Sequence, residues 1–207
     1  MSTEKISDKV ISRLTQYHCI LVDYIKKKNY TITSSVIAQL LKIDDSQVRK
    51  DISMLNNAGK SRVGYDVIQL KATIEKTLGF SKPKNAFIIG AGNLGTALAK
   101  YNDFEAYGLN VMALFDIDKT KIGKNINSKP VLDIKELSEY TKKMNVEIGI
   151  LTVPADFAQE IANYAVKSKI NYIWNFSPTV LEVPNGVEVW NENLMGNFLQ
   201  FSYKISK

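Results

Sequence analysis

Residues 90–95, Gly-Ala-Gly-Asn-Leu-Gly, constrain this chain more than any other stretch. The pattern G-x-G-x-x-G is weak alone, but here it follows Phe87-Ile88-Ile89 and precedes an apolar helical segment. That is the strand–turn–helix context a dinucleotide site needs. Gly90 makes the tight turn, Gly92 lets the backbone approach a pyrophosphate, and Gly95 lets the helix pack against the strand. Ala91, Asn93, Leu94 and Thr96 complete the loop and the helix start, where free N–H groups and the helix dipole favour an anion. About 20 residues further on, Asp116 ends the apolar run Met112-Ala113-Leu114-Phe115. A carboxylate there accepts the ribose 2′-OH and repels a 2′-phosphate. No arginine is near, although Lys119 and Lys121 are. NAD(H) is therefore expected over NADP(H).

From Asn85 onward, short apolar runs alternate with amphipathic segments. Strands are expected at 86–89, 110–115, 147–153, 172–174 and 187–190, with helices at 95–101, 134–143 and 157–167. Continuous apolar strands separated by helices indicate a parallel, doubly wound α/β sheet. In such a sheet the loops after the strands border the ligand crevice. Thr152-Val153-Pro154 and Asn175-Phe176-Ser177-Pro178 occupy such loops, and ordinary turn chemistry explains either one equally well.

Charge separates the two halves. Residues 1–84 carry 15 Lys and Arg against 8 Asp and Glu, whereas residues 85–207 carry 12 against 13. The basic excess lies wholly in the first part, as expected of a segment that meets a polyanion. There, apolar residues from Val10 to Ile25 recur at helical spacing behind a Ser7 cap. A second helix is expected after a Ser34-Ser35 cap, then a turn at 42–45, then a third helix at 46–56 capped by Asp45. Val48, Ile52 and Leu55 share one face of the third helix; Gln47, Arg49, Lys50 and Ser53 share the other. This is the sequence form of a helix-turn-helix. Gly59-Lys60-Ser61-Arg62-Val63-Gly64-Tyr65 suits a basic β-hairpin wing, and 67–78 a helix stopped by Gly79. The linker Ser81-Lys82-Pro83-Lys84 divides the chain. The expected domains are 1–80, a winged helix-turn-helix, 85–190, a Rossmann sheet, and 191–207, a terminal helix.

Several classes are disfavoured. No apolar run approaches bilayer length and no secretory signal is visible, so a bacterial-type cytoplasmic protein is the simplest reading. One cysteine, Cys19, excludes an internal disulfide framework. No metal-ligand cluster or catalytic constellation is apparent. His18, the single histidine, sits on the first helix as a packing or surface residue, and Cys19 lacks a local base. A dinucleotide site without catalytic groups points to sensing.

Taken together, Gln47-Val48-Arg49-Lys50-Asp51-Ile52-Ser53, Val63-Gly64-Tyr65, the glycine motif, Phe115-Asp116, Leu151-Thr152-Val153-Pro154 and Asn175-Phe176-Ser177-Pro178 resemble the Rex family of bacterial redox-sensing repressors, over nearly the whole chain. The resemblance implies a homodimer, bound to double-stranded operator DNA through the winged helices and released when NADH occupies the Rossmann domain. It implies cofactor contacts from residues 90–96, Asp116, Thr152, Val153, Pro154 and Phe176, with Tyr101 near the nicotinamide. DNA contacts are implied for Ser35, Ser46, Gln47, Arg49, Lys50, Lys60 and Arg62. It further implies that a terminal helix, which Leu194, Phe198, Leu199 and Tyr203 would supply here, is exchanged between subunits; that apolar stripe is also consistent with an ordinary core helix.

Three departures stand out. Arg62 replaces a wing glycine, which costs about 1 kcal/mol if that position takes a positive φ. Ser53-Met54-Leu55-Asn56 replaces an aromatic, glycine-bearing segment. An arginine on the first helix and an aspartate near the last, paired across the family dimer, correspond here to Cys19 and Asn193. Two other readings therefore stay open: a divergent paralogue that binds DNA without redox switching, and a small NAD-dependent oxidoreductase.

Overall fold

The protein is described by a computed structural model covering residues 6–55 and 64–206. It divides into two compact units, residues 1–82 and 83–207.

The first unit is helical. Helix α1, Asp8–Lys26, buries Leu14, Tyr17, His18 and Leu21. A two-residue strand β1, Thr31–Ile32, leads to α2, Ser34–Leu41, and α3, Asp45–Ser53. Both caps lie one residue earlier than the sequence indicates. The Thr33 hydroxyl, not Ser34 or Ser35, accepts the Val36 N–H, and the Asp44 carboxylate, not Asp45, accepts the Ser46 N–H. The reason is geometric: the capping oxygen bonds an N–H two or three residues on while its own backbone stays extended, and only Thr33 and Asp44 meet both conditions. Strand β2, Tyr65–Asp66, pairs antiparallel with β1, and α4, Val67–Leu78, ends at Gly79 as expected. One apolar core built on Leu14, Tyr17, Ile37, Val48, Ile52, Leu70 and Ile74 joins all four helices. The proposed wing residues Lys60 and Arg62, and Asn56, lie outside the described residues.

The second unit is a seven-stranded sheet. Strand β3, Lys84–Ile89, leads into the short helices α5, Asn93–Ala99, and α6, Asp103–Ala106, and then β4, Leu109–Asp116. A hairpin follows, β5, Asn125–Ile126, and β6, Lys129–Asp133. A 3-10 turn, Ile134–Glu136, introduces α7, Leu137–Met144, then β7, Ile148–Leu151, and α8, Ala155–Lys167. Strands β8, Tyr172–Asn175, and β9, Glu188–Asn191, complete the sheet before α9, Leu194–Ile205. The order is β5-β6-β4-β3-β7-β8-β9, all parallel except β5 against β6. Strand order reverses on either side of β3, and that switch point opens the crevice. The hairpin was legible only as loop, because Lys129-Pro130-Val131-Leu132-Asp133 has a single fully buried residue, Val131, and begins beside a proline.

Candidate nucleotide cleft and recognition helix

The glycine loop sits at the carboxyl end of β3, beside β4 and β7. Gly90 has φ +111°, and a Cβ there would lie 2.9 Å from the Thr152 carbonyl oxygen. At Gly95 a Cβ would fall 2.0 Å from the Gly90 carbonyl oxygen, so this glycine is demanded by the helix–strand contact itself. Gly92 differs. Its backbone is extended and a Cβ would meet nothing within 4 Å. The fold itself therefore does not require a glycine there. The loop also accepts support from β7, since the Thr152 hydroxyl donates to the Gly90 carbonyl at 2.8 Å.

Asp116 closes the cleft from β4. It accepts the Ala91 N–H at 2.7 Å, the Asp118 N–H at 2.9 Å and the Lys121 ammonium at 3.1 Å. Burial alone would raise its pKa, but the two backbone N–H groups and Lys121 outweigh it and hold the carboxyl below its usual range. Asp116 is thus an ionised acceptor tied to the glycine loop. A cavity of about 500 Å³ opens here, lined by Gly90, Gly92, Asp116, Thr152, Val153 and Pro154 among others. The residues fit a dinucleotide: room over Gly92 for a pyrophosphate, and a carboxylate where a ribose hydroxyl would bind.

Tyr101 and Phe176 do not line this cavity. They belong to an aromatic chain in which Tyr101 meets Phe104, Phe104 meets Trp174 and Trp174 meets Phe176, with centroids 5.0–5.9 Å apart. Tyr101 is exposed. The Asn175–Pro178 loop is held internally: the buried Asn175 carboxamide accepts the Ser177 N–H and donates to the Thr179 carbonyl, and Ser177 Oγ donates to the Val153 carbonyl at 2.6 Å. Asn175 is the scaffold residue of this loop, a role that its motif alone did not assign. A polar side chain ending an apolar strand was its signal.

In the first unit, Ser35, Ser46, Arg49 and Lys50 are exposed, and Arg49 is ion-paired with Asp45 one turn before it. Gln47 is half-buried and its Nε2 donates to Asp51 at 2.8 Å. Asp51, quoted only as part of a motif, proves to be the centre of the domain's polar interior. It is 1% exposed and also receives Arg13 through two hydrogen bonds and the Tyr17 hydroxyl. Arg13 and Tyr17 lie four residues apart on α1, hence on one helical face, and that spacing opposite an acidic residue was the available signal. His18 is packed, its Nε2 3.0 Å from a Glu75 oxygen and its ring edge-on to Phe80. Cys19 is exposed, and Asn193 caps α9 by accepting the Gly196 N–H. Among the described residues no group of His, Cys, Asp or Glu is arranged to hold a metal, and no helix is long and apolar enough to cross a membrane.

Known proteins resemble both units. Residues 5–53 match the family described as "Putative DNA-binding protein N-terminus", and residues 81–179 the one described as "CoA binding domain". A redox-sensing transcriptional repressor Rex from Clostridium botulinum is 41% identical over 204 residues, 99% of this chain and 97% of its own. Another from Treponema denticola is 44% identical over 189 residues, 91% and 90% of the two chains. Among solved structures, the Rex-family repressor RSP in complex with β-NAD+ and operator DNA superposes with a TM-score of 0.90 at 35% identity, covering 98% of this chain and 94% of that one. RSP in complex with β-NADH gives 0.85 at 36%, with 98% and 95% covered. With both units matched in order by relatives of nearly equal length, the chain belongs to the Rex family of redox-sensing transcriptional repressors.

Proposed function

We propose that this chain represses transcription as a homodimer on operator DNA and is released when NADH occupies the cleft of the second unit. The observation that carries this reading is Asp116, an ionised carboxylate bonded to the glycine loop, in one chain with an exposed basic recognition helix. Residues 90–96 receive the pyrophosphate, Asp116 takes the adenosine ribose, and Thr152-Val153-Pro154 wall the cleft. Tyr101 and Phe176 meet the nicotinamide end. Bound NADH brings the reduced dihydronicotinamide as the signal, and no group here is assigned to react with it. Ser35, Ser46, Gln47, Arg49 and Lys50, with Lys60 and Arg62, contact DNA; phosphate contacts fix the register and base contacts supply specificity.

A ligand moves such an equilibrium only by its differential affinity for the two arrangements. One specific observation favours a weakened switch. The family's cross-dimer arginine–aspartate pair corresponds to Cys19 and Asn193, neither of which carries charge, so cofactor binding outlasts redox response. Titrating NADH and NAD+ separately into a protein–operator complex tests both readings. Release by NADH at concentrations where NAD+ leaves the complex intact supports the sensor, with no NADH consumed when simple carbonyls are added. Equal effects of the two forms overturn it in favour of a DNA-binding paralogue without redox switching.

A further inference from the structure

Asp51 uses its whole acceptor capacity inside the protein. Its Oδ2 accepts Arg13 Nε at 2.6 Å and the Tyr17 hydroxyl at 2.8 Å; its Oδ1 accepts the second Arg13 nitrogen and Gln47 Nε2, each at 2.8 Å. An ionised carboxylate has about four lone-pair sites and donates nothing. This chemistry decides how the Gln47 amide is turned. The end facing Asp51 must be the NH2 group, because the carbonyl end would meet an acceptor.

One Nε2 hydrogen is therefore spent on Asp51, while a second Nε2 hydrogen and Oε1 are left for another partner. Gln47 lies in the first turn of α3, the part of a recognition helix that meets base edges. A neighbouring donor and acceptor match the N7 acceptor and N6–H2 donor of adenine in the major groove. Guanine offers two acceptors at those positions. The side-chain torsions of Gln47 are already restrained before DNA arrives, since Asp51 is itself locked by Arg13 and by Tyr17, which is fully buried.

We propose that the Arg13–Asp51–Tyr17 cluster is a clamp that presents the Gln47 amide in one orientation, making Gln47 an adenine-reading residue in each operator half-site. Arg13, Tyr17 and Asp51 are positioning residues that never touch DNA. The proposal rests on the DNA-binding reading above and makes a narrower claim.

The test is selection from a pool of random-sequence duplexes with the full-length protein free of NADH. Wild type should enrich a two-fold motif containing one strongly required adenine per half-site. Gln47→Ala should enrich the same motif with that one position degenerate, and should bind the wild-type motif about tenfold more weakly. Asp51→Asn should blur the same position and leave the others, whereas a purely structural role would weaken every position together. Thermal melting followed by helical circular dichroism reports whether the helical first unit, which holds both substitutions, remains folded in each variant. Tyr17→Phe, which removes one bond to Asp51 and leaves no charge unpaired, decides the clamp in the same selection if Asp51→Asn does not fold. Full retention of the motif by Gln47→Ala overturns the adenine assignment, and uniform loss in folded Asp51→Asn overturns the clamp. Failure of wild type to enrich any motif would remove the DNA-binding reading as well, so the two failures are distinguishable.

Discussion

A single carboxylate, Asp51, carries an unusual share of the first unit. Burial would push it up, yet hydrogen bonds from Arg13, Tyr17 and Gln47 outweigh burial and keep it below the ordinary aspartate range. The same contacts raise Arg13, chiefly through its hydrogen bonds to Asp51, and raise Tyr17, chiefly through burial and then the bond to Asp51. A depressed carboxylate stabilises the fold above its unfolded value near 3.9 and loses that contribution as pH falls through the lower folded value. Removing one partner of a buried pair leaves an uncompensated charge, which costs about 3–5 kcal/mol. Arg13 is partly exposed, so Arg13→Ala should lie at the lower end, about 3 kcal/mol near neutral pH. The difference from wild type should shrink below about pH 4 as Asp51 protonates. Urea unfolding across that pH range measures both effects, and a pH-independent difference would contradict the assignment.

Among the elements, the turn from β3 into α5 is the most demanding. Conformation accounts for Gly90 and contact for Gly95, whereas the fold asks nothing of Gly92, which under the proposed function is clearance for a ligand. The last of these yields a sharp expectation. Gly92→Ala should lower stability by no more than about 1 kcal/mol, the margin by which an N-cap prefers Gly to Ala. It should nevertheless weaken NADH binding by at least tenfold, because the methyl group stands where the pyrophosphate approaches. Calorimetric melting and NADH fluorescence titration separate the two effects. The motif and its flanking strand were legible in the sequence because each glycine answers a local steric demand. The β5–β6 hairpin was not, because its strand is held by pairing with β4 rather than by any apolar alternation of its own. The start of helix α3 was legible to within one residue, since Val48 and Ile52 repeat at helical spacing whatever packs on them, but the helix stops at Ser53, three residues short of the expected end.

For the whole molecule, α9 is the feature that a single chain leaves unfinished. Leu194, Met195, Phe198, Leu199, Phe201, Tyr203 and Ile205 are each more than half exposed, and no residue of the helix is buried. An apolar helix of this kind belongs at an interface. If the proposed homodimer forms through α9, Phe198→Asp combined with Leu199→Asp should convert it to a monomer, read by light scattering on a sizing column. Operator affinity should then fall by about a hundredfold or more, because two linked half-site contacts become independent. Retention of a dimer would move the interface away from α9.

Local chemistry was enough to establish the two domain types, the cofactor class and the polarity of the recognition helix. Glycine spacing, apolar period and the separation of charge between the halves are properties that neighbouring residues carry with them. Tertiary structure alone decided which polar groups meet. Arg13 and Asp51 are 38 residues apart, and Asp116 reaches back 25 residues to Ala91. Such partnerships depend on how helices and strands pack, and no local pattern encodes them. The sequence therefore singled out Gly90, Gly92, Gly95 and Asp116 as a candidate site, while the fold alone showed Asp116 tied to the glycine loop and Gln47 held by a buried carboxylate.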